Sequence, residues 1–258
     1  MVPRAADDTV GLVGLLAQRG DYLESIADGV TEKRALVDAH DASRSTVDRA
    51  VRQLADAGLV DRTHGEVALT TTGRLALDAY TTFRNRVTGI DDANDVLDGV
   101  DDADDLDVRL FENATVVEAA HTPQKPMDEV ADVIRTATEV RVLAPLVLPS
   151  HVEIYRDRVN ENALAADVVV TQAVLDELVT NHQDTIETFV GSDDAALSFT
   201  NDDLPYGLVL ASLDDRDVVL VVCGTGPVAG VLRNDTPDAV AWAADRFASA
   251  RETATRLG

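Results

Sequence analysis

Between residues 43 and 64 lies a group of side chains suited to gripping a polyanion. Arg44, Arg49, Arg52 and Arg62 carry fixed positive charge, Ser43, Ser45 and Thr46 carry hydroxyl donors, and His64 adds an imidazole. A guanidinium donates two parallel hydrogen bonds to O6 and N7 of guanine in the major groove, and that groove admits an α-helix. Hydroxyls at a helix N-terminus donate to phosphate, where the helix dipole also favours negative charge. Arg62 and His64 stand where a wing would reach phosphate or the minor groove. Asp48 is the discordant residue on this face. Pairing with Arg44 or Arg52, each four residues away, is preferred over acceptance from cytosine N4. The alternative use of such a face is as a docking surface in a protein-interaction adaptor. The run of arginines favours double-stranded DNA.

The elements that would position these residues are legible around them. From Ser43 to Ala57 the apolar residues Val47, Ala50, Val51 and Leu54 fall on one helical stripe, opposite the arginines. Ser43 is a good N-cap, and Gly58 stands where a helix stops in the left-handed conformation. Leu59–Thr63 and Glu66–Thr70 alternate apolar with polar around His64-Gly65, the pattern of a hairpin. Upstream, residues 8–18 predict a helix opened by Asp7 or Asp8, and residues 21–28 a second one ending at Gly29. Thr31 is placed to cap a helix reaching about His40, with Ala35, Leu36 and Ala39 inward. Residues 72–88 predict a further helix with Leu75, Ala76, Ala79, Tyr80, Phe83 and Val87 on one side. That face would pack on the same domain or pair two subunits, and pairing into a homodimer is preferred. Helix, turn, capped helix and hairpin together make a winged helix-turn-helix.

Charge separates this segment from the rest. The 258-residue chain has a net charge of −25. Residues 1–90 hold 13 acids and 11 bases, whereas residues 91–258 hold 34 acids and 11 bases. The bases are arginine apart from Lys33 and Lys125. Such acidity is read as adaptation to a cytoplasm of molar salt, where the Debye length falls to about 3 Å; an ordinary acidic protein is the alternative. Kept near neutral, residues 1–90 are the part best suited to approach a polyanion. No run approaches the roughly 18 apolar residues that span a membrane, and MVPRAADD lacks a signal-peptide core. The single cysteine, Cys223, excludes an internal disulfide and fits a reducing cytoplasm.

Beyond the helices, 91-DDANDVLDGVDDADDLD-107 holds nine aspartates and no base. It reads as a solvated linker with one short helix near Asn94–Leu97, because the glycine and glutamate of a calcium loop are absent. From about Val108, strands at 114–119, 140–143 and 165–170 alternate with helices at 126–137, 151–159, 172–179 and 184–190. Strands at 195–199, 208–213, 218–222 and 228–232 follow, and a helix from Asp238 to Leu257 closes the chain. The expected class is α+β overall: a winged helix-turn-helix domain at 1–88, an acidic linker at 89–107 and an α/β domain with a mixed sheet at 108–258.

No catalytic group, cofactor site or metal site is expected. CGTGPVAG at 223–230 echoes a dinucleotide loop, but that loop must open a helix, and here another strand follows. The five histidines have no ligand-like spacing, and Cys223 reads as a small core residue. For a small-molecule effector, the polar residues at strand ends are the candidates: His121, Tyr206, Arg233 and Asn234.

Two stretches, SRSTVDRAVRQLADAGLV at 43–60 and LTTTGRLALDAY at 69–80, resemble the winged helix-turn-helix of archaeal, especially haloarchaeal, transcriptional regulators. VRVLAPLVLP at 140–149, DDLPYGLVL at 202–210 and NDTPDAVAWA at 234–243 are similar to a sensor domain first described in a methanogenesis regulatory protein. The resemblance implies a dimeric, effector-responsive transcription regulator whose DNA-contacting set is Ser43, Arg44, Ser45, Thr46, Arg49 and the wing from Arg62 to His64.

Overall fold

A computed structural model describes residues 6–63, 65–100, 106–119, 122, 124–224 and 227–258. The chain divides into two compact units, 1–84 and 85–258, and its class is α+β. His64 and His121 lie outside the described residues.

The first unit begins with α1 (Ala6–Ala27), α2 (Lys33–Ala39) and α3 (Arg44–Asp56). The antiparallel pair β1 (Val60–Thr63) and β2 (Glu66–Leu69) follows, and then α4 (Thr71–Asp92). The two short helices expected at 8–18 and 21–28 are one continuous helix. Gly20, between the two expected helices, lies inside α1, where a methyl group would approach the Tyr80 ring to 3.3 Å; glycine there permits close packing. Thr31 caps nothing: its carbonyl accepts from the Val67 amide, and Glu32 holds the cap position. On α2 only Leu36 is buried, and Ala35 and Ala39 face solvent. The stripe expected on α4 is split. Leu77 is buried, but Leu75, Phe83 and Val87 are exposed.

The second unit starts within α4 and continues through α5 (Asn94–Leu97) and a 3-10 turn at Val108–Phe111. Ala93, Val96 and Val100 are buried with Leu110, Phe111 and Trp242, so this part of the expected solvated linker belongs to a core. Residues 101–105 lie outside the described residues. Then come β3 (Thr115–Glu118), α6 (Lys125–Thr136), β4 (Glu139–Ala144), α7 (Pro149–Asn160) and β5 (Ala165–Thr171). After these run α8 (Gln172–Asn181), α9 (Gln183–Gly191), β6 (Ala195–Thr200), β7 (Tyr206–Ser212), β8 (Asp217–Cys223), β9 (Gly230–Asn234), α10 (Pro237–Thr253) and β10 (Thr255–Arg256).

The sheet order is β10-β6-β5-β4-β7-β8-β9-β3. β4, β5 and β6 run parallel, and the remaining pairings are antiparallel. Helices cover both faces, which is why the central strands are apolar throughout rather than alternating. On one face Val142, Val168, Val170, Val209 and Leu220 pack with residues of α6 to α9. On the other, Leu208, Val219, Val221 and Cys223 pack with Trp242 and Phe247 of α10. The glycine-rich stretch at 223–230 joins antiparallel β8 and β9 with Cys223 opposite Gly230, the hairpin expected. The closing helix stops at Thr253, and Thr255 and Arg256 pair with β6 instead of extending it. No helix among the described residues is long and apolar enough to cross a membrane.

Two glycines make the packing testable with opposite signs. Replacing a helical glycine by alanine normally stabilises by about 0.5–1 kcal/mol. A methyl group on Gly11 meets nothing within 4 Å, whereas one on Gly73 would lie 1.9 Å from the Leu59 carbonyl oxygen. Gly11→Ala should therefore raise stability by about 0.5–1 kcal/mol. Gly73→Ala should lower it by about 1–3 kcal/mol, both read from denaturant unfolding of the full chain.

Candidate functional site

The candidate interface is the outer side of α3. Val47, Ala50, Val51 and Leu54 are each at most 1 % exposed, so the helix has one rotation available to it. Ser43 sits in extended conformation, and its side chain accepts from the Thr46 amide at 3.2 Å. Its hydroxyl also lies 2.8 Å from that of Ser45 and 2.9 Å from that of Thr46, which gathers three hydroxyls at the positive end of the helix dipole. Beyond the other end, Gly58 takes φ +73°, the left-handed stop expected. Arg19 Nε donates to Gln53 Oε1 at 3.0 Å, tying α1 to α3.

Arg44, Arg49 and Arg52 are exposed on this side, with Ser45 and Thr46 beside them. Arg62 is exposed on β1. None of the four arginines makes an ion pair or side-chain hydrogen bond among the described residues. The hairpin that carries Arg62 is anchored by Thr70, whose hydroxyl donates to the Gly58 carbonyl at 2.7 Å and accepts from the Gly73 amide at 2.8 Å. The structure thus gathers Ser43, Arg44, Ser45, Thr46, Arg49 and Arg52 on one helix, with Arg62 on the neighbouring strand.

Asp48 does not pair with Arg44 or Arg52. Lys33 of α2 donates to Asp48 Oδ1 at 2.6 Å, with both side chains 40 % exposed. Sequence reasoning missed Lys33 because its partner lies on another helix, outside any i, i+4 relation. The Lys33 hydrogen bond and charge hold the Asp48 carboxyl below the usual carboxylate range, with smaller help from Arg44 and Arg52. Lys33 therefore occupies the Asp48 carboxylate; Asp56, four residues beyond Arg52, is a second acid on the exposed side of α3, and no ion pair joins it to an arginine among the described residues. Lys33, Arg34 and Arg44 also line a concavity between α2 and α3.

In the second unit the described effector candidates hold the protein together. Asn234 Nδ2 donates to the carbonyls of Leu110 and Glu112, each at 2.8 Å, and its Oδ1 accepts from the Thr236 amide at 2.7 Å. Arg233, pointing to the opposite face, pairs with Glu129 of α6. The buried Tyr206 hydroxyl accepts from Arg246 Nε at 3.1 Å, and its ring packs near Trp242. These three side chains do not converge on a common cavity.

A cavity does exist elsewhere, between the sheet and the helices that cover it. It has a volume of about 110 Å³ and lies at the carboxyl ends of β4 and β5, lined by Val142, Val170, Leu178 and Phe189 with His151 and Tyr155 of α7. Nothing in the spacing of these residues advertises it, because the wall is drawn from separate elements. Cys223 is fully buried, and burial pushes its thiol up to about 12. That leaves it without the exposed, polarised sulfur of a redox sensor.

The Lys33–Asp48 pair has a testable signature. Asp48 has a depressed pKa in the folded state, so the contribution of the pair is complete above the unfolded-state pKa and is lost as pH falls through the folded one. In Lys33→Met at low salt, the Asp48 carboxyl should titrate at higher pH than in the parent, followed by carboxyl-carbon NMR. An unchanged titration would assign the depression to the arginines.

The family of the HVO_A0261 N-terminal domain matches residues 7–92. The family of the methanogenesis regulatory protein FilR1, middle domain, matches residues 123–253. No curated protein matches the chain. Among solved structures, TrmBL2, an archaeal chromatin protein described with a novel mode of DNA binding, is similar at 12% identity and a TM-score of 0.44, over 98% of this chain and 100% of that one. Nuc from Salmonella typhimurium, a phospholipase D family member, is similar at 10% identity and a TM-score of 0.41, over 56% of this chain and 97% of that one. With residues 123–253 of its 258 matched, the chain belongs to the family of the methanogenesis regulatory protein FilR1 middle domain.

Proposed function

We propose that the protein is a cytoplasmic, non-enzymatic transcription regulator that binds duplex DNA through a winged helix-turn-helix in its first unit. The observation that carries this reading is the outer side of α3. Three exposed arginines stand there without ion pairs among the described residues, on a helix whose other side is fully buried. In the helix-turn-helix geometry the second helix enters the major groove and the first crosses the backbone. α3 would present Arg44, Arg49 and Arg52 to base edges, and Ser43, Ser45 and Thr46 to phosphate. Lys33 and Arg34 at the start of α2 would face the backbone, and Arg62 with His64 would reach it from the wing.

The DNA-bound form is a homodimer in this reading. Leu75 and Phe83 of α4 are 65 % and 56 % exposed, and Val10 and Val13 of α1 are 72 % and 45 % exposed. An apolar surface of this kind on a charged protein suits a second copy of the chain. The second unit senses a small-molecule effector, whose binding favours one placement of the paired recognition helices over another. Membership of a regulatory family supports that division of labour.

The experiment is fluorescence anisotropy with duplexes recovered from the genome by crosslinking, across a series of KCl concentrations. Arg49→Ala should weaken binding by about 1–3 kcal/mol if Arg49 reads a guanine. Arg62→Ala should weaken binding evenly across sequences and lower the salt slope by about one. Parent-like binding by Arg49→Ala would remove that residue from the base-reading set.

A further inference from the structure

The cavity beside α7 has a chemistry of its own. Its wall is almost wholly aliphatic and aromatic, with no Lys, Arg, Asp or Glu among the residues that line it. A charged guest would lose its hydration with nothing to replace it. Two polar residues of one helix are among those that line it. His151 and Tyr155 are four residues apart on α7, hence on the same face, and both line the cavity. Tyr155 makes no hydrogen bond among the described residues, and burial alone pushes its hydroxyl well above the usual phenol range. The phenol therefore stays protonated and keeps a donor to offer.

His151 is held differently. Burial, opposed by a hydrogen bond to the Met127 carbonyl, keeps its pKa below the usual imidazole range, so the ring is neutral near neutral pH. Its Nε2 lies 3.0 Å from the Met127 carbonyl oxygen. A carbonyl can only accept, so the single ring proton sits on Nε2 and Nδ1 is left as an acceptor. The same face of α7 thus carries one donor and one acceptor above an apolar floor. The position also suits a ligand: in α/β sheets, sites form outside the carboxyl ends of parallel strands, here β4 and β5. The size is in the range of the apolar cavity of about 150 Å³ known to hold benzene in another protein.

We propose that this cavity binds a small neutral organic molecule with an aromatic or branched aliphatic body and a single hydroxyl group. The hydroxyl oxygen accepts from Tyr155, its hydrogen is donated to His151 Nδ1, and the body fills the space between Val142, Val170, Leu178 and Phe189. The site deepens the effector-sensing reading and rests on it for its regulatory meaning; occupancy itself does not depend on DNA. It also places the input away from Tyr206, Arg233 and Asn234, whose polar atoms already serve the fold.

Calorimetry on the full chain in molar KCl tests this with three probes of one shape: benzyl alcohol, toluene and benzoate. Benzyl alcohol should bind, and toluene should bind about five- to a hundredfold more weakly for want of two hydrogen bonds. Benzoate should show no binding in the same concentration range. Tyr155→Phe should weaken benzyl alcohol about two- to tenfold, part of the way to the toluene level, while leaving toluene unchanged. Leu146→Trp, in the half-buried loop that forms one wall, should abolish binding of both neutral probes. Absence of benzyl alcohol binding to the folded parent, equal binding of benzoate, or binding that survives Leu146→Trp would each overturn the assignment. DNA binding measured on the same preparation separates the two readings. Probe binding without DNA binding keeps the cavity and removes the regulator, and DNA binding without probe binding does the reverse.

Discussion

The burial of Val47, Ala50, Val51 and Leu54 is the constraint on which the interface depends. Burying one such side chain stabilises by about 1.5–3 kcal/mol, whereas an exposed ion pair contributes about 0–1 kcal/mol. The apolar stripe therefore decides which side of α3 faces outward, and the charges follow. Ser43 fixes where the helix starts, Gly58 where it stops, and Thr70 where the hairpin leaves. Once α3 is seated, Arg44, Arg49 and Arg52 have nowhere to point but solvent. The Lys33–Asp48 pair adds to the arrangement by occupying a carboxylate that lies four residues from both Arg44 and Arg52.

The second unit works by the opposite rule. Its sheet is covered on both faces, and its conspicuous polar side chains are used internally: Asn234 holds the 3-10 turn, Arg233 meets α6, and Tyr206 meets Arg246. The large excess of acids carried by residues 91–258 leaves that region unsuited to a polyanion, while residues 1–90 stay near neutral. The two halves thus differ in electrostatic character as sharply as in architecture. What the covered sheet leaves open is a void at the ends of β4 and β5, with two polar groups on one helix face.

Much of this was legible because it is local. The stripe and caps of α3, the hairpin, and the strands and helices from β3 to α10 follow from periodicity and turn chemistry within short windows. The failures share a cause, which is tertiary contact. The gap expected between residues 18 and 21 is continuous helix, with Gly20 packed against Tyr80. Ala35 and Ala39 look inward-facing because nothing local shows that α2 buries only Leu36. Val96 and Val100 sit in an aspartate-rich run, yet Trp242 and Phe111 are there to cover them. The hydrogen-bond partner of Asp48 is fifteen residues away on another helix. A polar side chain at a strand end looks the same in sequence whether it meets a ligand or, like Asn234, ties the chain to itself. The cavity is a property of nine helices and strands at once, and no window of sequence contains it.

The central claim, that α3 reads DNA with its arginine side, is tested most directly by selecting bound duplexes from a random library in molar KCl. The account predicts that the parent protein enriches one guanine-containing motif. A variant carrying Arg44→Ala, Arg49→Ala and Arg52→Ala should enrich none while unfolding at the same temperature as the parent. Enrichment of the same motif by that variant, or of no motif by the folded parent, would contradict it.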